Sequence, residues 1–350
     1  DSAWWHERAR SLQTETKRPI RRIRIERETA VYGRETELTR LRTLFDEIKS
    51  GNGRVAIAAG EAGIGKSRLI DEFVGRLEQD GEDIAFLVGG YPPGGAATME
   101  GGFSAAYRDY FGEPGSAPYL PENQALVPAF DALLRGEGAP EGAQSLNKSS
   151  IQTCFVRATQ YLAAERPTIV LIEDLHFAPD EGRALFTALA TALRGHRALL
   201  IGTTRPGVSE QWLTDLTRLE QTTQIPLARL GAKDLAHLLE DTLRSQFLAG
   251  ELGQQIAVKS DGNPYFVFEI LRGLRAGNFI TRRDDGTWAR TGVIEEIEIP
   301  SSVLDLVAAR VSGLTEEERD LLDVACCIGY EFDPGLVGEV LGLRRIPALK

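Results

Sequence analysis

A glycine-rich octapeptide constrains this chain more than any other stretch. Residues 60–67 read Gly-Glu-Ala-Gly-Ile-Gly-Lys-Ser and match the pattern G-x-x-x-x-G-K-[ST]. The glycines in such a loop let the backbone fold back on itself, so that successive N–H groups point into one concavity and bind an anion. A lysine at the position of Lys66 reaches the β- and γ-phosphates, and the hydroxyl of Ser67 is a ligand for Mg²⁺. The octapeptide therefore predicts a nucleotide site.

The segments on either side of this loop have the order that phosphate binding requires. Residues 54–59 predict a short buried strand, and residues 67–74 carry apolar side chains at helical spacing. The start of that helix adds its positive end to the anion site. A glycine-rich turn of another α/β unit is the alternative, and the strand–loop–helix order disfavours it. We assign nucleotide contacts to Gly60, Glu61, Ala62, Gly63, Ile64, Gly65, Lys66, Ser67 and Arg68, and a catalytic role to Lys66 as well.

Composition narrows the class of protein. The net charge of −11 over 350 residues argues against nonspecific nucleic-acid binding by the chain as a whole. No apolar run approaches the ~18 residues that a membrane span requires, and the first residues lack a signal-peptide pattern. Cys154, Cys326 and Cys327 lack C-x-x-C spacing, so we expect buried thiols and a cytoplasmic location. Because the chain begins at Asp1 and holds a single methionine, we expect it to come from a longer polypeptide.

Apolar runs recur along the first two thirds of the chain. The runs at 84–88, 168–174, 198–206 and 224–227 predict buried strands, and stretches with helical periodicity separate them. Strands that alternate with helices indicate a doubly wound parallel sheet of the α/β class. We expect this domain to span residues 31–228.

A stretch rich in glycine and proline interrupts the alternation. Residues 89–142 hold 11 Gly and 7 Pro, a fraction typical of disorder. Four aromatic residues in it nevertheless fall at the spacing of one helical face, namely Phe103, Tyr107, Tyr110 and Phe111. We therefore expect an ordered insertion over 89–150, with short helices that overhang the site.

The two ends of the chain differ from the sheet domain. Residues 1–30 carry a basic run at 17–27, for which a nucleic-acid arm is one hypothesis and a linker with a solvated basic face is the better one. From residue 231 the pattern is mostly helical. We expect helices over 232–246, 250–260 and 264–276, a hairpin around 284–286, and a helical domain over 229–298.

Ligands for Mg²⁺ are expected where the strands end, because open parallel sheets place their sites at the carboxyl ends of strands. Glu173 and Asp174 end one strand, about 100 residues after the loop, and such a pair can hold Mg²⁺ and orient the attacking water. We assign Ser67, Glu173 and Asp174 to the metal, and Asp174 to catalysis as well.

Two further polar residues lie near these acids in the sequence. Arg205 follows the next strand, and we expect it to act catalytically on the γ-phosphate, since a guanidinium pairs well with phosphate oxygens. A surface arginine in a loop is the alternative. His176 follows the acid pair, and we expect it to be a satisfied packing histidine rather than a catalytic one.

Five motifs in order resemble those of the STAND class of AAA-related P-loop ATPases. The closest likeness is to the modules attached to bacterial adenylate cyclases, protein kinases and regulators of the LuxR or maltose-activator type. The motifs are Tyr32-Gly33-Arg34-Glu35, the loop at 60–67, Leu171-Ile172-Glu173-Asp174-Leu175-His176, Thr203-Thr204-Arg205-Pro206 and Gly262-Asn263-Pro264-Tyr265-Phe266-Val267. Residues 299–332 resemble the start of a winged helix. Two departures are Phe177-Ala178-Pro179 in place of Trp-Ala-Asp, and the lack of the repeats that follow the winged helix in relatives.

The resemblance implies more than the residues alone do. It implies that ATP and ADP bind with Mg²⁺, that Tyr32, Gly33 and Arg34 lie on the adenine side, and that Pro264 meets the adenine. It implies a helical lid over 229–298 and a truncated winged helix over 299–350. It also implies a switch that ADP holds closed and ATP opens, with slow hydrolysis as a reset. Implied partners are an upstream cyclase or kinase and downstream helical repeats of the same polypeptide. The resemblance also implies nucleotide-dependent self-assembly.

Two other functions compete with this interpretation. A metabolic P-loop kinase would need an acceptor site and usually a compact chain, whereas a helical tail follows the sheet here. A DNA-binding regulator would act through residues 300–350, which carry nine acidic and five basic side chains. Such a surface repels phosphates, so nucleic acid is an unfavourable partner.

Overall fold

The computed structural model describes residues 29–93, 98–112, 115–291, 311, 314–328 and 333–342. Its centre is a five-stranded sheet with the strand order β2-β3-β4-β1-β5. The strands are β1 (Arg54–Ala59), β2 (Ala85–Gly90), β3 (Thr168–Glu173), β4 (Ala198–Thr204) and β5 (Thr222–Pro226). Every neighbouring pair is parallel, which confirms the predicted α/β class with a doubly wound parallel sheet.

Helices cover both faces of this sheet. The helices of the sheet domain are α1 (Glu35–Lys49), α2 (Lys66–Gln79), α3 (Gly101–Phe111), α4 (Val127–Arg135), α5 (Lys148–Glu165), α6 (Asp180–Ala192) and α7 (Glu210–Thr217). α1 and α2 bury their apolar faces in one core, and α3 to α7 bury theirs in a second core on the other side. All seven residues of β4 are buried, as expected of a central strand covered on both faces.

The insertion between β2 and β3 is ordered where the structure describes it. Phe103 and Tyr107 of α3 are fully buried, and their rings lie 5.6 and 4.9 Å from that of Phe155 on α5. α3 runs so close to β2 that a Cβ at Gly89 would overlap the carbonyl oxygen of Gly102. The predicted aromatic face therefore belongs to the core of the sheet domain, and the expected overhang above the site stays a prediction.

A smaller helical unit follows β5, with a core of its own. It consists of α8 (Ala232–Leu243), α9 (Gln246–Ser260), α10 (Pro264–Ala276) and a hairpin of β6 (Ile280–Arg282) and β7 (Trp288–Arg290). We call this unit the lid. The expected helix 232–246 is shorter than predicted, because Arg244 adopts a left-handed conformation with φ 47° and ends α8. Ser245 then caps α9, so that α9 begins four residues earlier than the periodicity predicted.

Two short helices are described beyond the lid, α11 (Glu316–Ile328) and α12 (Pro334–Val340). Cys326 and Cys327 of α11 are exposed, so the expectation of buried thiols was right only for Cys154. Thr315 and Glu318 form reciprocal hydrogen bonds at the start of α11, as in a capping box. Half of the predicted winged helix, and residues 1–28 of the predicted arm, lie outside the described residues. Within the described residues, no helix has the length and apolar character needed to cross a membrane.

Candidate nucleotide-binding site

The glycine-rich loop connects β1 to α2 at the carboxyl edge of the sheet. Gly63 and Gly65 have φ angles of 74° and 100°, a region that favours glycine. Ile64 between them is buried and anchors the loop in the core beside α1 and α2. The N–H of Gly60 donates to the carbonyl oxygen of Thr204 at 3.2 Å, which ties the start of the loop to the end of β4. The local sequence thus folds as its pattern predicts.

Lys66 opens α2 and lies inside the loop. Its Nζ donates to the carbonyl oxygens of Gly60 at 2.8 Å and Glu61 at 2.9 Å. Burial lowers the pKa of Lys66, the negative charges of Asp174 and Glu173 oppose that shift, and the positive charge of Arg205 adds to it. The lysine, both predicted acids and the predicted sensor arginine are therefore close enough to interact.

The end of β3 places one acid directly on the loop. Ser67 Oγ donates to Glu173 Oε1 at 2.5 Å, and burial is the largest of the influences that raise the pKa of Glu173. Asp174 has φ 56°, which is rare for a residue other than glycine, and its N–H donates to Oγ1 of the buried Thr203 at 2.9 Å. Thr203 thus holds the backbone of Asp174 in its left-handed turn.

This donor set fits Mg²⁺ bound together with a nucleotide. A hydroxyl and two carboxylates are hard oxygen ligands of the kind that Mg²⁺ prefers. Among the described residues, no cluster of three or more His, Cys, Asp or Glu side chains forms a metal site by itself. Ser67, Glu173 and Asp174 would therefore need phosphate oxygens and water to complete an octahedral shell.

Three buried side-chain nitrogens of Arg205 and His176 lie at this edge of the sheet without a hydrogen-bond partner among the described residues. The guanidinium of Arg205 lies 5.5 Å from the ring centroid of Phe177, and its Nε has no hydrogen-bond partner among the described residues. The same holds for both ring nitrogens of His176, whose Nδ1 is 3.7 Å from Asp174 Oδ1 and whose pKa burial lowers. His176 packs on Phe177 as expected, but its nitrogens are not satisfied as a packing histidine would require.

The segment that resembles an adenine-side motif lies between the loop and the lid. Arg34 is only 5% exposed, and its Nη2 donates to the carbonyl oxygens of Ile64 at 3.2 Å and Ala228 at 2.7 Å. Burial lowers the pKa of Arg34, and the charges of nearby acids, Glu37 first, oppose the shift. Arg34 thus holds the outside of the loop, and its predicted contact with nucleotide stays a prediction.

The other predicted contacts on this side are spread over several elements. Tyr32 packs against the core of the lid, where burial raises its pKa, and its ring lies 6.3 Å from that of His237. Gly33 has φ 64° and lies so close to α8 that a Cβ there would be 2.7 Å from Asp234 Oδ2. Arg68 turns to the N-terminal segment and donates to the carbonyl oxygen of Thr29 at 2.8 Å.

The lid touches the loop where α10 begins. Pro264 is the first residue of α10, and Asn263 is its N-cap. Asn263 Nδ2 donates to the carbonyl oxygen of Ala62 at 3.0 Å, and the N–H of Tyr265 donates to that of Gly63 at 3.3 Å. The structure thus places Pro264 between two residues that contact the loop.

Three residues of this region were not nominated from the sequence. Asn263 and Thr203 lie inside two of the motifs named above, next to Pro264 and close to Arg205. That position in the sequence could have identified both of them as site residues. Arg229 had no signal in the sequence, yet it pairs with Glu61 of the loop at 2.7 Å and with Asp261 of the lid. Its role depends on the path of the chain between β5 and α8, which residue types do not reveal.

Part of the chain matches a known protein family and one curated protein. Residues 30–201 match the model of a family described as AAA ATPase domain. An uncharacterized protein of Rhizobium meliloti (strain 1021) is 28% identical over 203 residues, which cover 52% of this chain and 19% of that protein. The chain therefore spans about a fifth of the length of this relative.

Three solved structures resemble the chain more distantly. A STAND protein with a tetratricopeptide repeat sensor from Pyrococcus horikoshii has a TM-score of 0.47 and 17% identity, and covers 93% of this chain and 40% of its own. The Aeropyrum pernix ORC1 protein, solved in complex with DNA, has a TM-score of 0.45 and 15% identity, and the match covers 89% of this chain and 76% of that protein. Cdc6p from Pyrobaculum aerophilum has a TM-score of 0.47 and 13% identity, and the match covers 89% of this chain and 81% of that protein.

Proposed function

We propose, because residues 30–201 match the AAA ATPase domain family, that the chain is the ATP-binding and slowly hydrolysing switch module of a larger multidomain regulator. The observation that carries the proposal is the convergence of Lys66, Ser67 and Glu173 at one edge of the sheet. Asp174 and Arg205 act electrostatically on the same lysine. One cation, one metal-binding hydroxyl and two acids at a glycine-rich loop are the groups that phosphoryl transfer from ATP requires.

Each side chain has a role in this proposal. Lys66 binds the β- and γ-phosphates, for which it would exchange its present hydrogen bonds to loop carbonyls. Ser67 and Glu173 hold Mg²⁺, which when bound neutralises charge that develops on the phosphates. Asp174 orients the attacking water, with its backbone held by Thr203. Arg205 binds the γ-phosphate, and its unpaired Nε supports that role.

The switch itself rests on the difference between ADP and ATP. In the proposal Pro264 contacts the adenine in both nucleotides, whereas only ATP offers a γ-phosphate to Arg205. A ligand shifts an equilibrium only by its differential affinity for the two states. A hydrogen bond to a charged group contributes about 1.5–3 kcal/mol, which would change the ratio of open to closed lid by about one to two orders of magnitude. The much greater length of the Rhizobium meliloti relative supports a module within a larger polypeptide.

Calorimetry of ATP binding tests the proposal. Lys66→Ala should abolish or strongly weaken ATP binding in the presence of Mg²⁺ while the fold remains intact. Lys148→Ala is a matched control, because Lys148 is exposed and pairs with Glu181 on the surface. Unchanged ATP affinity in Lys66→Ala would contradict the assignment of the site. ATPase rates with and without DNA then separate the switch from a DNA-dependent regulator, whose rate should rise with DNA.

A further inference from the structure

The first turn of α10 holds the phosphate-binding loop by its backbone. Asn263 is 2% exposed, and both the oxygen and the nitrogen of its side-chain amide form hydrogen bonds. Its Oδ1 accepts the N–H of Tyr265 at 3.1 Å and caps the helix, while its Nδ2 donates to the carbonyl oxygen of Ala62 at 3.0 Å. The N–H of Tyr265 is shared with the carbonyl oxygen of Gly63 at 3.3 Å. Two consecutive peptide groups of the loop therefore have their carbonyls on the lid.

Peptide geometry links these carbonyls to phosphate binding. In a planar trans peptide the C=O and the following N–H point in opposite directions. A carbonyl of Ala62 that is held by the lid therefore turns the N–H of Gly63 away from the lid, whereas the N–H of Ile64 donates within the loop to the carbonyl oxygen of Glu61 at 3.4 Å. A phosphate that accepts such an N–H also polarises the peptide group, so its carbonyl becomes a better acceptor for the lid.

We propose that the lid senses the phosphate chain of the nucleotide directly through the loop backbone, with Asn263 as the positioning residue that carries the coupling. This inference rests on the proposed function, because it requires phosphate in the loop. It differs from coupling through Pro264 and Arg205, since neither the adenine nor a contact between the lid and the nucleotide is needed. Phosphate in the loop tightens the lid, and a docked lid tightens phosphate binding by the same factor.

Inorganic triphosphate with Mg²⁺ tests the inference, because it has phosphates but no base. Hydrogen exchange is measured on the full chain at loop residues 61–67 and at lid residues 262–267. We expect triphosphate to slow exchange in both segments of the parent. The Tyr265 amide should slow about fivefold, the effect of one net hydrogen bond on an equilibrium constant.

Asn263→Ser isolates the coupling from the capping role. Serine caps a helix about as well as asparagine, but its hydroxyl is too short to keep both hydrogen bonds. In this variant triphosphate should protect the loop as in the parent but protect the lid less, because the bond to Ala62 is lost while the bond from the Tyr265 N–H to Gly63 remains. Asn147→Ser is the matched control, because Asn147 caps α5 through the N–H of Ser150 far from the loop. The control should behave like the parent.

Three outcomes would overturn the inference: a protected loop with an unchanged lid in the parent, a loop that triphosphate does not protect at all, or equal lid protection in Asn263→Ser and the parent. ATP binding measured by calorimetry on the same parent protein separates this failure from that of the proposed function. A parent that binds ATP but fails the triphosphate test keeps its nucleotide site and loses only the backbone coupling.

Discussion

The contact between Gly63 and the lid predicts an unequal effect of the same substitution at two loop glycines. Gly63 and Gly65 both have positive φ angles, so alanine strains the backbone at either position. A Cβ at Gly63 would overlap the Cβ of Tyr265 and lie 3.0 Å from its Cγ, whereas a Cβ at Gly65 meets no atom within 4 Å. Gly65→Ala is therefore a matched control for the strain alone.

The magnitude follows from these contacts. A left-handed conformation costs a residue with a Cβ about 1–2 kcal/mol, which both variants share. Gly63→Ala must also move the start of α10, and so weakens two hydrogen bonds to the loop at about 0.5–1.5 kcal/mol each. The two variants should therefore differ by about 1–3 kcal/mol in the free energy of lid opening, or about 5- to 150-fold in its equilibrium constant.

Hydrogen exchange in the nucleotide-free protein measures this difference at the Tyr265 amide and along α10. We expect fast exchange in Gly63→Ala and nearly parental exchange in Gly65→Ala. Adding Tyr265→Gly to Gly63→Ala removes the overlapping Cβ, and should recover part of the loss despite about 1 kcal/mol for glycine in a helix. Equal exchange in the two single variants would refute the reasoning, because it would mean that the lid does not rest on the loop.

Four further predictions concern the remaining site residues. Arg34→Ala leaves two loop and linker carbonyls without their donor, so we expect a loss of about 1–3 kcal/mol in the free energy of unfolding by urea denaturation, with partial recovery in Arg34→Lys. Asp174→Asn should leave nucleotide bound and slow hydrolysis, whereas Glu173→Gln should weaken the dependence of hydrolysis on Mg²⁺. Hydrolysis at the parental rate in both variants would contradict the roles assigned to these two acids. Glu173→Gln should also stabilise the nucleotide-free protein at neutral pH. Because burial raises the pKa of Glu173 in the folded state, its ionisation opposes folding above the ordinary carboxyl range and the gain should vanish in acid. Arg205→Ala should remove any difference in hydrogen exchange at 260–291 between ADP and a non-hydrolysable ATP analogue, and a difference that persists would exclude the proposed sensor role.

Local features of the sequence determined the sheet and the inner side of the site. The apolar runs of β3 and β4 predict buried strands wherever they occur, and parallel order then brings Glu173 and Arg205 to one edge. The glycine pattern determines the loop because only glycine adopts the φ angles of Gly63 and Gly65 without strain. These are properties of single residues and short periods, so they can be read from the chain.

The tertiary structure alone decided how the outside of the loop is held. Arg34 reaches Ala228 across 194 positions, and Asn263 reaches Ala62 across 201. An arginine after a glycine, or an asparagine before a proline, has many possible partners, and its choice depends on how the lid packs beside the sheet. Burial then favours each of these hydrogen bonds, because a buried donor without an acceptor destabilises the folded state. Short-range patterns thus predicted the loop at which we propose that phosphate binds, and long-range packing determined which residues support that loop from the other side.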